Sequence, residues 1–393
     1  MKNIYLAFMA AILCIANVHG QKVISNGFPG VGVVNGTNYI RTGTIGTMNN
    51  SFVAASSTMG FASNVWDSTL YFIDMANETI TDSIKHYVQD MEVRGDTLYA
   101  ISGAYLLRIR ISTKAIIDSV MVSTHPYRLE LRPGADEAWL SDSTQVYIVS
   151  NLTGSMTVSS FKAGVDQYDN SPIRFTKGGS IAYKAATITH RVYKIDAANK
   201  TITDSVDIPG GNNSGVAVSS DSSKMYVSNT NDFKIYVIKT SDMTLMDSIN
   251  SPREPFEMYT HPTRAEMWCV NHFDDSVTVY KESDNSELAA IDLPPSPHII
   301  AFVYGNTGVN DVAGKIDGVL YPNPGTKQLH VSLPVGGVYS IGLYDNTGKM
   351  IQSLHTKQPV TTLQVADLPA GMYHINITND KGAQQHLQWV KYE

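Results

Sequence analysis

The chain has 393 residues, of which 43% are hydrophobic and only 17% charged, with a formal net charge of −7. That length can bury one large core and a smaller one. The acidic balance and the lack of any Lys/Arg cluster argue against nucleic acid as a partner.

Residues 1–20 read as a secretory signal peptide. Lys2 is the positive start, IYLAFMAAILCIANV the apolar run, and Val18 and Gly20 are small enough for cleavage before Gln21. The run is too short, and lacks the flank, for a transmembrane span. Ala11-Ile12-Leu13 before Cys14 makes a poor lipobox. With the signal removed, Cys269 is the only cysteine, set beside Met267 and Trp268 in a strand, so a buried inert thiol is expected.

From Lys22 onward the chain is a series of short β-rich runs separated by polar turn clusters. Residues 215–249, GVAVSSDSSKMYVSNTNDFKIYVIKTSDMTLMDSI, show one unit of four such runs. Its last strand serves as a ruler. The phrase and its weaker versions end at Ile45, Ile84, Val120, Phe161, Val206, Ile249 and Ile291, spaced 36 to 45 residues apart. A period near forty with four strands per unit is the pattern of a β-propeller blade. At the start only three strands precede Ile45 (KVISN, VGVVN, NYIRTGTI), and at the end a single strand, HIIAFVYG, follows Ile291. The expectation is all-β: a seven-bladed propeller over residues 21–305, closed by a composite blade of one C-terminal and three N-terminal strands. The phrasing KMYVSN…KIYVIKT…DSI resembles the YVTN family of seven-bladed propellers, found in many secreted and surface proteins.

Composition shifts after Gly305, and residues 306–318 read as a small, polar, glycine-bearing linker. Residues 319–393 then form a second β module of about seven strands. Tyr339, Ile341 and Leu343 alternate with smaller residues, as do Tyr373, Ile375 and Ile377, which predicts a small immunoglobulin-like β-sandwich. Asp345-Asn346-Thr347-Gly348 reads as a hairpin turn. The ordered motifs Tyr321-Pro322-Asn323-Pro324, then Gly348-Lys349 within YDNTGK, then Gly371 and Tyr373 within LPAGMY, and a terminal Lys391, resemble the type A C-terminal sorting domain of the Bacteroidetes type IX secretion system. The ending QWVKYE is less basic than is common in that family. The resemblance implies the type IX machinery as a partner, passage through the periplasm, and a secreted or outer-membrane-surface location.

Catalytic signatures are missing: there is no Gly-rich phosphate loop, HExxH, GxSxG, paired-cysteine metal site or aspartate-rich calcium loop. No cofactor or metal is expected. Propeller geometry instead directs attention to two sets of loops that crowd one face. The loops between second and third strands carry Phe28, Trp66, Tyr105, His190, Phe233 and Phe273. Those leading into each first strand carry Tyr87, His125, Tyr127, Arg128, Tyr168, Asn213, Arg253, Glu254 and His298. Aromatic side chains there can stack on a ligand while polar groups orient it; equally, they can wedge between blades. Trp66, Tyr87, Tyr105, His125, Tyr127, Arg128, Phe233, Arg253, Glu254, Phe273 and His298 are the candidate ligand-binding residues. Tyr127 with Arg128, and Arg253 with Phe256, lie next to prolines and come first, with Arg128 and Arg253 expected to serve binding rather than stability.

These readings favour an exported binding protein whose propeller mouth captures a small molecule, glycan or protein partner. One alternative is a lactonase- or lyase-like propeller enzyme, which needs a His–carboxylate pair such as His125 or His298 with Glu254. The other is a surface-layer or adhesion protein with no small ligand.

Overall fold

The structure is a computed structural model describing residues 21–143, 145–163, 172–187, 189–303, 319–333, 337–346, 349–379 and 384–392. The expected signal peptide and linker, Tyr168 and Gly348 lie outside them. Residues up to Gly305 fall mainly into one compact unit and Asn306–Glu393 into another.

Among the described residues the first unit contains seven four-stranded antiparallel sheets and no helix. Six are continuous in sequence: sheet one (residues 52–85), two (91–121), three (128–161), four (173–207), five (213–250) and six (258–292). In each, the fourth strand is the most exposed. The second strand of sheet five, Lys224–Asn229, is almost wholly buried, whereas the fourth strand, Thr244–Asn250, is mostly exposed. The third-to-fourth-strand hairpins share a residue with positive φ, and in sheets one and four an Asp-based turn as well. Asp74 Oδ1 accepts from the backbone N–H of Ala76 (2.8 Å), and Asp196 Oδ1 does the same from Ala198 (2.8 Å). Glu78, Lys114, Lys200, Met243 and Asn285 close these turns with positive φ. Beyond the turn a β-bulge interrupts third-to-fourth-strand pairing in sheets one, four, five and six and in the closing sheet, between Phe72 and Ile73 in sheet one and between Val237 and Ile238 in sheet five. A bulge adds local twist, so the repeated exposed TITDSI phrase marks a repeated geometry as well as a repeated sequence.

The seventh sheet joins the two ends of the unit. Its order is Ile300–Val303, Lys22–Ser25, Val31–Asn35, Ile40–Ile45. The first two pair antiparallel, with Val23 opposite Phe302 and Ile24 opposite Ala301. Successive sheets share apolar cores, sheet three with four through Trp139 and Phe175, sheet five with six through Tyr226 and Met267. The closing sheet packs on sheet one through Ile24, Val53 and Ile73, and on sheet six through Val23, Trp268 and Ile300. The order therefore returns to its start. Phe302 meets Trp268 edge-on at 5.5 Å, and Tyr39 Oη donates to Glu266 Oε1 at 2.8 Å across the same boundary. Cys269 is fully buried, and burial pushes its thiol up to about 12, which fits the inert role expected of it.

The second unit has two antiparallel sheets, a three-stranded one (Val319–Tyr321, Gln328–Ser332, Val360–Gln364) and a four-stranded one (Met350–Thr356, Tyr339–Tyr344, Gly371–Asn379, Gln384–Lys391). Leu329, Val331 and Leu363 of the first share a core with Ile341, Leu343, Ile375, Ile377 and Trp389 of the second. The alternating residues seen in the sequence are the inward ones. The Pro322-Asn323-Pro324 segment is pinned to the last strand. Trp389 Nε1 donates to Pro322 O (2.8 Å), Asn323 Nδ2 donates to Gln388 O (2.8 Å), and Val390 N donates to Asn323 Oδ1 (3.0 Å). Gly371 pairs with Lys391 across the sheet, the Tyr373 hydroxyl donates to Pro369 O at 2.7 Å, and Lys349 N donates to Asp345 Oδ1 at 3.0 Å.

Candidate functional site

One cavity of about 670 Å³ opens among the loops of the first unit, within the ~300–1,000 Å³ common for small-ligand pockets. Seven loops wall it. The closing sheet supplies Asn26–Phe28 and Pro295–Ile299, and the connection to sheet one supplies Asn49–Phe52. Trp66, Gln89, Tyr127 with Arg128, and Phe256 come from four further loops. Both ends of the unit therefore meet in the wall, because the first and last strands pair.

Local chemistry holds each aromatic in place. Trp66 rides a turn in which Asn64 Oδ1 accepts from the N–H of Trp66 (3.0 Å) and Asp67 (3.4 Å). The ring is 80% exposed although it lines a concavity. The Phe28 loop is fastened by Asn50, whose Nδ2 donates to the carbonyls of Gly27 and Gly30, both at 2.8 Å. Gly30 has φ +80° and faces Gly46 O and Ile45 O so closely that any Cβ would clash. Asn26 Oδ1 accepts from His298 N and Ile299 N, both at 2.7 Å, fixing the loop that carries His298.

His298 belongs to an aromatic ladder. Its ring stacks on His272 with centroids 3.9 Å apart, His272 meets Phe273 at 4.6 Å, and Phe256 lies 5.7 Å from His298. His272 Nδ1 carries the proton, since it can only donate to Pro297 O at 3.0 Å. Burial, then His272 and Arg128, pull the His298 imidazole down to about 4, so it is neutral at physiological pH.

Arg128 is tied up elsewhere. Its guanidinium forms a very short ion pair with Glu257, a side chain only 1% exposed. The pair belongs to a partly buried network built from first strands and the loops leading into them. Arg174 donates to Glu130 Oε2 (2.7 Å), lies 3.7 Å from Glu257 Oε2, and sits over the Tyr259 ring at 5.2 Å. Leu131 N donates to Glu92 Oε2 at 2.8 Å, and burial followed by the neighbouring Glu130 holds the Glu92 carboxyl well above its ordinary range. The expectation that Arg128 serves binding rather than stability is therefore revised: its charge answers a buried carboxylate.

Of the eleven candidate binding residues, the structure brings Trp66, Tyr127, Arg128 and His298 together in the cavity wall. Tyr87, Tyr105, His125, Phe233, Arg253, Glu254 and Phe273 sit in or beside the expected loops but outside that wall. Phe273 reaches it only indirectly, through His272. Sequence reasoning passed over Asn26, Asn49, Asn50, Ser51 and Gln89, which line the cavity, and the Glu92–Glu130–Arg174–Glu257 network. For the network a signal existed: Asp90 and Glu92, and Arg128 and Glu130, place charges at period two in or next to first strands, where apolar residues are expected. Among the described residues no group of His, Cys, Asp and Glu is arranged to hold a metal.

Comparison with known proteins bears on the two units differently. A family described as secretion system C-terminal sorting domain matches residues 319–391. The chain thus carries a sorting domain and is exported by type IX secretion to the cell surface or extracellular space. No curated protein matches the chain in sequence. Among solved structures it is similar to a functionally unknown protein from Desulfotomaculum acetoxidans, with TM-score 0.61 and 12% identity over 72% of this chain and 99% of that one. It is also similar to the Cps50 (Swd1) beta-propeller domain of Myceliophteria thermophila (TM-score 0.54, 12% identity, 72% of this chain and 93% of that one). The RRP9 WD40 repeats give TM-score 0.53 at 10% identity, over 62% of this chain and 80% of that one. At such identities the likeness is one of fold, and the fold is a β-propeller.

Proposed function

We propose that this is an exported binding protein in which a seven-bladed propeller, residues 21–305, presents the loop-walled cavity to a small molecule, glycan or protein partner outside the cell. In this proposal residues 1–20 are a cleaved signal peptide, 306–318 a linker, and 319–393 an immunoglobulin-like sorting module that engages the type IX machinery. The KMYVSN…KIYVIKT phrasing and the seven four-stranded sheets support assigning the ring to the YVTN type.

The observation that carries the reading is the cavity itself, where exposed aromatics from separate loops face one space. An aromatic as exposed as Trp66 buries little surface in the fold, and a cluster of exposed rings in a concavity is the usual mark of a ligand surface. Binding is favoured over catalysis by the lining, whose described residues include no carboxylate to pair with His298. A thermal-shift screen of the full chain against metabolites, glycans and peptides tests this, because a ligand of the native state raises the melting temperature. One or more compounds are expected to raise it for the native protein and not for Trp66→Ala. A shift of equal size in that variant would place binding elsewhere.

A further inference from the structure

The charge and polarity of the cavity wall narrow the ligand class, given that the mouth is the binding site. Apart from the Tyr127 phenol, the ionisable side chains in the wall are Arg128 and His298. Glu257 meets the charge of Arg128, and His298, facing Arg128, His272 and Phe256, is held neutral. A polyanion would need open cationic groups, and the chain as a whole is acidic. The polar side chains of Asn49, Ser51 and Gln89 also line the wall, and none of the three hydrogen-bonds to another described residue. They offer uncharged donors and acceptors on neighbouring loops. Phe28, Trp66 and Tyr127 present rings that are 55%, 80% and 40% exposed. The three rings come from separate loops. Separate aromatic planes interleaved with amides and a hydroxyl suit pyranose rings, whose C–H faces stack on aromatics while their hydroxyls pair with neutral polar groups.

We propose that the cavity binds an uncharged oligosaccharide, with Trp66 as the stacking platform and the side chains of Asn49, Ser51 and Gln89 as hydroxyl partners. Binding of this kind has almost no salt dependence, because no ion pair forms with the ligand.

The protein carries its own reporter. Of its four tryptophans, Trp139, Trp268 and Trp389 are fully buried at 0% exposure and Trp66 is the exposed one. Acrylamide quenching of the intrinsic fluorescence therefore reads Trp66. The full chain is titrated with neutral gluco-, manno- and xylo-oligosaccharides, and in parallel with oligogalacturonate, a sulfated glycan, nucleotides and short peptides. The expected result is that at least one neutral oligosaccharide removes most of the quenching, with the same affinity at low and high salt. Trp66→Ala should weaken that sugar, followed by calorimetry, by about tenfold or more, and Trp66→Phe by less. If charged glycans, nucleotides or peptides shield Trp66 and neutral sugars do not, the sugar assignment is wrong while the mouth remains the site. If nothing in the panel shields Trp66, or a sugar binds Trp66→Ala undiminished, both assignments fall.

Discussion

Arg128 shows how one residue type carries two opposite readings. In sequence it is a cation beside a tyrosine on a loop that enters a channel, which suits a ligand anchor. In the fold Glu257 takes up its charge, and Arg174 stands 3.7 Å from the same carboxylate. Arg128→Ala is therefore expected to strand a buried charge and lower stability by about 3–5 kcal/mol in denaturant unfolding. Glu257→Gln in the same chain should recover part of the loss. No loss in the single variant would return Arg128 to the ligand. Glu92 makes a second residue-scale test. Its pKa is raised in the folded state, so the native protein holds this proton longer than the unfolded chain. Stability then falls as pH rises from the ordinary carboxylate range toward the folded value. Glu92→Gln keeps an acceptor for Leu131 N and removes the charge. It should flatten the decline of melting temperature between acid and neutral pH, and an unchanged slope would mean that Glu92 is ionised throughout. The aromatic part of the cavity wall was legible because loop position and residue type suffice to nominate Trp66 and Tyr127. The amide half was not, since Asn49 and Gln89 resemble any other polar loop residues until the fold brings their loops together.

At the scale of elements, the strand ruler was readable because turn chemistry and period repeat together. The Asp-based turn recurs before TITDSI and TITDSV in sheets one and four, and the bulge beyond the turn recurs there and in sheet five. The pairing of the first and last strands was readable for a different reason, since three strands at one end and one at the other add to a sheet. What sequence could not supply is how that sheet is fastened. Asn26 does much of this by accepting two backbone N–H groups of the returning segment, at His298 and Ile299. Asn26→Ala leaves both donors unmet in a buried setting and is expected to cost about 2 kcal/mol or more in denaturant unfolding. It should also loosen the loop that carries His298. A variant as stable as the parent would show that water or a shifted backbone replaces the amide. The Pro322-Asn323-Pro324 motif plays a comparable part in the sorting domain, where Asn323 both donates to and accepts from the last strand.

For the whole molecule, the proposed function depends on closure of the first unit. Export is assigned to the sorting domain, and the loops of the first unit surround one cavity because its first strand meets its last. The sequence carried the four-stranded units and the pairing of the first strand with the last, since both follow from counting strands. It did not reveal which loops converge, because that depends on how far each tip leans inward, a property of three-dimensional twist rather than of local pattern. The most direct test is hydrogen–deuterium exchange on the full chain, comparing residues 22–25 and 300–303 with the second strands of sheets three and five. Closure predicts that both segments exchange slowly and together with the rest of the ring, as paired interior strands do. Rapid exchange of residues 300–303, or of 22–25, while the other strands stay protected would mean an open ring and would contradict the account.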